Sequence, residues 1–133
     1  MQYLLDTNIV SALVRDPHGP VTRRIREVGE VEVCTSIIVA AELRYGAIRR
    51  GSPRLTAQLD TVLRALPVLR FEAPADAVYG ALRARLERDG RPIGGNDLLI
   101  AAHASALGLT VVTDNEREFG RIGELRCENW LRI

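Results

Sequence analysis

The chain has 133 residues and a mass of 14.7 kDa, the size of one ordinary domain and too short for two. Hydrophobic residues make up 47% and charged residues 26%, which excludes a disordered chain; an aromatic share of 5% leaves the core to Ala, Leu, Val and Ile. The 18 basic residues, all Arg, stand against 17 acids for a net charge of +1; the absence of Lys excludes a GxxxxGK phosphate loop, Schiff-base chemistry and a lysine base.

Residues 2–5 are a short apolar run that stops at Asp6-Thr7-Asn8, predicting a first strand and then a helix cap. A short helix over 9–14 is halted by Asp16-Pro17-His18-Gly19-Pro20, and a second covers 21–28 and ends at Gly29. Residues 31–35 alternate apolar and polar, a strand signal. Ser36 then caps a long helix over 37–50, closed by Gly51. Ser52-Pro53 opens a further helix that Pro67 ends, and 68–71 form a brief strand. Pro74 sits near the first turn of a helix reaching Asp89, which Gly90-Arg91-Pro92 breaks. Residues 93–97 lead into a helix over 98–107 with Gly108 at its end; 110–113 are a strand ending at Asp114-Asn115, and 125–127 are a last one. Helices alternating with four to five short strands predict an α/β sandwich around a mostly parallel sheet, one domain over 1–133.

Cys34 and Cys127 lie far apart without CxxC spacing, which points to free thiols in a reducing cytosol rather than a disulfide or zinc site. The N-terminus lacks a basic n-region and a long apolar h-region, so no signal peptide is expected, and no apolar run reaches membrane-spanning length. Charge is unevenly spread: residues 44–91 carry ten Arg against five acids (+5), while 1–43 and 92–133 come to −2 each. Any one of those Arg residues also reads as part of a solvated helix face.

Four carboxylates look misplaced for structure alone. Asp6 and Asp114 stand at the C-terminal ends of two strands, and in a parallel sheet those ends share the ligand-binding edge. Glu42 falls inside the stripe Ile38, Ala41, Tyr45, Ile48, and a carboxylate on a core-facing stripe is costly unless paired or bound to a metal. Asp97 opens a helix that is apolar nearly all round. Taken singly, Asp6, Asp97 and Asp114 also read as caps or Asx turns, and Glu42 as a partner of Arg44 or Arg91. Converging together, four acids repel unless a cation lies between them. Hard oxygen ligands without His or Cys select Mg2+ or Mn2+, which suggests metal-assisted hydrolysis of a phosphate ester. His103, mid-helix between Leu99 and Leu107, reads as a packed, hydrogen-bonded core residue, and no GxSxG elbow supports a serine nucleophile.

Leu5-Asp6-Thr7-Asn8, Ala41-Glu42-Leu43, Pro92-Ile93-Gly94-Gly95-Asn96-Asp97 running on to Ala104, and Val112-Thr113-Asp114-Asn115 resemble the PIN-domain ribonucleases. The similarity is closer to the VapC-type toxins of bacterial type II toxin–antitoxin modules. Glu116-Arg117-Glu118-Phe119 and Glu128-Asn129-Trp130-Leu131 resemble the same subgroup, so the likeness covers the whole chain. The resemblance implies a PIN-like three-layer sandwich. It also implies that Asp6, Glu42, Asp97 and Asp114 are the catalytic, metal-binding acids, with Thr7, Asn8, Thr113 and Asn115 as donors that orient them. The implied activity is Mg2+- or Mn2+-dependent endonucleolytic cleavage of structured RNA such as tRNA or rRNA by metal-activated water, inhibiting translation. Arg44, Arg49, Arg50, Arg85, Arg88 and Arg91 are then candidates for RNA phosphate contacts. Implied partners are a VapB-type antitoxin and a second copy of the chain, in the cytoplasm. An Asp-nucleophile phosphatase wants Asp-x-Asp and a downstream Lys, but Asn8 holds the third position and Lys is missing. A catalytically silent PIN domain that only binds RNA or a partner is the remaining alternative.

Overall fold

The computed structural model describes residues 1–132. Five short strands, β1 (Tyr3–Leu5), β2 (Val33–Ser36), β3 (Val68–Leu69), β4 (Thr110–Val112) and β5 (Cys127–Glu128), form one sheet in the order β3-β2-β1-β4-β5. Every pairing is parallel, with Leu5 opposite Thr35 on one side and Val112 on the other. The three central strands are buried on both faces, as a sheet covered by crossover helices must be, and the edge strands β3 and β5 are half-buried. Leu4, Leu5, Val33, Cys34, Val111 and Val112 are fully buried.

The helices are α1 (Thr7–Arg15), α2 (Pro20–Val28), α3 (Ile37–Arg50), α4 (Pro53–Ala65), α5 (Ala75–Arg88), α6 (Gly95–Leu107) and α7 (Glu116–Phe119). Ser36 and Ser52 cap α3 and α4 through their hydroxyls, and Gly51 and Gly108 close α3 and α6 in the left-handed conformation. α1 packs on α2, α3 and α4, and α5 on α6. The sandwich expected from the sequence is therefore present, with a sheet that is parallel throughout. No helix among the described residues is long and apolar enough to cross a membrane.

Several boundaries differ from the sequence expectation for local reasons. Asp6 caps α1 directly, so that helix starts at Thr7. Gly29, at a φ of 98°, turns the chain into a 3-10 turn over Glu30–Glu32, and β2 begins only at Val33. α6 starts at Gly95, before the predicted 98, because Gly94 is extended and the buried helix tolerates a glycine in its first turn. The short α7 and the shift of the last strand to 127–128 were not legible from periodicity. The helix 37–50 is rotated relative to expectation: Val39, Ala40 and Ala47 face the core, whereas Tyr45 and Ile48 are 65% and 76% exposed.

Ile100 lies at the centre of α6 with no exposure. Ile100→Ala is expected to cost about 2–5 kcal/mol, because the well-packed surroundings cannot close the cavity. Urea unfolding checks this as a lower midpoint at unchanged m-value.

Candidate active site

The sheet edge at the C-terminal ends of β1 and β4 carries the acids. Asp6 follows β1 and is only 2% exposed. Its Oδ1 accepts from the Thr7 backbone N–H at 2.8 Å and its Oδ2 from the Thr113 hydroxyl at 2.7 Å. Burial raises its pKa, the two hydrogen bonds oppose the rise, and the charges of Glu42 and Glu118 add to it. Glu42, half-buried on α3, accepts from the Thr7 hydroxyl at 3.0 Å. Thr7 thus ties the second acid to the first.

Asp97 sits in the first turn of α6 and faces Glu118 of α7. The Asn115 side-chain amide lies between them, donating to Asp97 Oδ2 at 2.9 Å and to Glu118 Oε2 at 2.7 Å. Asn115 is itself fixed by its backbone N–H, which donates to the Thr113 hydroxyl at 2.9 Å. Burial, a carboxyl–carboxylate hydrogen bond with Glu118 and the charge of Asp6 push Asp97 up to about 7. Glu118 moves the other way, chiefly because the Gly94 backbone N–H donates to it. The two acids are thus shifted in opposite directions, Asp97 up and Glu118 down.

Asp6, Glu42 and Asp97 are therefore brought together, and Thr7, Thr113 and Asn115 orient them. Asp114 is not brought in. Thr113 is turned toward Asp6, and alternation along extended chain sends the next side chain outward. Asp114 is exposed, and its carboxylate accepts from Asn129 at 2.8 Å. Asn8 holds that turn by accepting from the Asp114 backbone N–H at 3.1 Å, rather than contacting an acid. The fourth acid of the cluster is Glu118, which the sequence reading missed. Its signal was the capping-box spacing Asn115-x-x-Glu118, which marks a helix start.

Of the Arg candidates, Arg44 pairs with Asp60 at 2.8 Å and Arg85 pairs with Glu124. Arg49, Arg50, Arg88 and Arg91 are exposed and make no ion pair among the described residues. Arg50 and Arg15 flank Glu42 in a groove of about 160 Å³ between α1, α3 and α4. Both cysteines are free; Cys34 is buried, and burial pushes its thiol up to about 11, so it is inert.

A parallel α/β sheet whose carboxyl edge gathers these acids is the architecture of a PIN domain, and the family model of that description matches residues 3–125. Over 131 residues the chain is 37% identical to a protein of Shigella flexneri named tRNA(fMet)-specific endonuclease VapC, covering 98% of each. It is 40% identical over 133 residues to ribonuclease VapC2 of Haemophilus influenzae, covering 98% of this chain and 99% of the relative. Among solved structures it resembles VapBC2 from Rickettsia felis, bound to a DNA fragment from their promoter. That match has a TM-score of 0.88, 38% identity and coverage of 98% and 99% of the two chains. The chain belongs to the VapC ribonucleases of the PIN-domain family.

Proposed function

We propose that this chain is a Mg2+- or Mn2+-dependent endoribonuclease toxin that cuts structured RNA, such as tRNA or rRNA, and so stops translation. The observation that carries this reading is the gathering of Asp6, Glu42, Asp97 and Glu118 at one sheet edge, linked to one another through Thr7, Thr113 and Asn115. Four acids so placed repel one another, and a cation between them relieves that repulsion. The donor set is all hard oxygen, which fits Mg2+ or Mn2+. No three acidic, His or Cys side chains stand at chelating distance among the described residues. Mg2+ tolerates such spacing, since it binds through one or two carboxylates and keeps several waters. Asp6 and Asp97 would hold the ion, with Glu42 and Glu118 adding charge around it.

A bound divalent ion supplies neutralisation of the charge that develops on the phosphate and its leaving oxygen. The chain's own residues do the rest. Thr7, Thr113 and Asn115 fix the carboxylates in place. Glu42, held by Thr7 and facing the groove, accepts the proton of the attacking water. Arg15 and Arg50 bind flanking phosphates, with Arg49, Arg88 and Arg91 as more distant contacts. Water as nucleophile leaves 5′-phosphate and 3′-hydroxyl ends.

The likeness to solved VapBC complexes supports a VapB-type antitoxin as partner, and a cytoplasmic setting suits both proteins. A homodimer is supported by the apolar stripe Ile37, Tyr45 and Ile48 that α3 leaves exposed. The purified, antitoxin-free chain is expected to cut total bacterial RNA at discrete positions in Mg2+ and not in EDTA, read by mapping 5′-phosphate ends. A folded, Mg2+-loaded protein that makes no cuts would return the reading to a silent binding domain.

A further inference from the structure

His103 is the one buried imidazole among the described residues and plays no part in the chemistry above; it lies at 2% exposure on α6, six residues after Asp97. Its Nδ1 stands 2.8 Å from the Ser36 hydroxyl, and the Arg70 backbone lies against the ring and opposes the lowering of its pKa. Ser36 Oγ already accepts from the Ile38 backbone N–H at 3.0 Å, as the cap of α3. The one hydroxyl thus joins the first turn of α3 to the ring on α6. The next residue back, Thr35, donates its hydroxyl to the Leu5 carbonyl at 2.7 Å, immediately before Asp6.

Thr35, Ser36 and His103 are all buried, and no buried side-chain polar atom among the described residues lacks a partner. Apolar side chains would fill this space without desolvating three polar groups. What the polar chain adds is a single register between elements, since an apolar contact slides where a hydrogen bond does not. The elements it joins carry three of the acids: β1 leads to Asp6, α3 bears Glu42 and α6 bears Asp97.

We propose that His103 is a positioning residue for the acidic site, fixing α6, and with it Asp97, against the Ser36 cap of α3 and the edge of β1. The proposal rests on the reading that these acids hold a divalent ion. Charged groups near the ring are few: Glu72 raises its pKa, and burial lowers it by a larger effect. His103 thus stays neutral at physiological pH, and its role is geometric.

The test compares two variants by Mn2+ titration in calorimetry, well below their unfolding temperatures. His103→Leu fills the space but offers Ser36 no hydrogen-bond partner, and is expected to lose about 10–100-fold in Mn2+ affinity. His103→Asn leaves a larger void yet keeps a hydrogen-bonding group on the Ser36 side; it is expected to be less stable than His103→Leu and to bind Mn2+ more tightly. A purely structural residue gives the opposite order, with affinity following stability or not moving, and that order overturns the proposal. Should His103→Leu fail to fold, a Mg2+ titration of the wild-type protein followed by the imidazole 15N signals decides the matter. If His103 holds α6 and Asp97 in place, ion binding at the acids is expected to shift those signals, and signals that stay fixed at saturation overturn the proposal. A wild-type protein that binds neither ion overturns the metal reading as well, whereas binding unaffected by both variants overturns only the role of His103.

Discussion

Asp97→Asn is expected to make the metal-free protein more stable at about pH 8 while removing its ribonuclease activity. The cause lies in the burial of Asp97 and in the acids beside it, Glu118 and Asp6. Asp97 is pushed up from 3.8 to about 7 in the folded protein, so the native state binds that proton more tightly than the unfolded chain. Stability from this group is complete below pH 3.8 and is lost as pH rises through 7. Above that point the folded site holds adjacent, unneutralised carboxylates. Asparagine is the neutral copy of the protonated acid: its amide donates to Glu118, and its oxygen still accepts from Asn115. The variant should therefore gain on the order of 2 kcal/mol, or roughly 5–10 °C in melting temperature, at about pH 8. Near pH 5 wild-type Asp97 already carries its proton, and the gain should nearly vanish. Adding Mg2+ should raise the wild-type melting temperature and leave the variant's almost unmoved. Cleavage should fall roughly a thousandfold, about 4 kcal/mol of transition-state stabilisation. A variant no more stable than wild type at pH 8 would show that Asp97 does not carry the strain of the site.

The parallel edge was legible because strand polarity follows from chain order: helices between successive strands force parallel pairing, and Asp6 must then stand beside the end of β4. Asp97 was legible for a different reason, an isolated charge at the head of an apolar helix. Glu42 lies on a stripe whose spacing predicts a core face, yet that stripe is largely exposed. Periodicity defines the faces of a helix but not which one meets the protein's own interior. The small side chains Ala40 and Ala47, which allow close approach, mark the buried face of α3. His103 was read as a bonded core residue, and its partners lie 67 and 33 positions away, a pairing no local pattern encodes. The fate of the Arg side chains was likewise closed to sequence, since Arg44 and Arg85 find acids on other elements.

Exchanging one acid for its amide at positions 118 and 114 should give sharply different results. Glu118→Gln removes a charge from the cluster while its oxygen keeps an acceptor for the Gly94 N–H, so α7 should stay in place. Mn2+ affinity is expected to fall about 10–100-fold, with cleavage falling in parallel at subsaturating ion. The same change should leave Asp97 without its carboxylate neighbour, and the loss of stability between pH 4 and 7 should shrink, since Glu118 contributes both a hydrogen bond and a charge to that shift. Asp114→Asn is expected to bind Mn2+ and to cut RNA nearly as the wild type does. Its carboxylate is turned to solvent and bonded to Asn129, and an exposed polar contact of this kind contributes little. If Asp114→Asn instead lost the ion and Glu118→Gln kept it, the strand-end acid would be the ligand and Glu118 only a cap for the Gly94 turn. The two variants therefore decide between an acid chosen by its place at the end of a strand and one delivered by a short helix. Chain direction favours the second: Thr113 already fills the inward position beside Asp6, and its neighbour must face out.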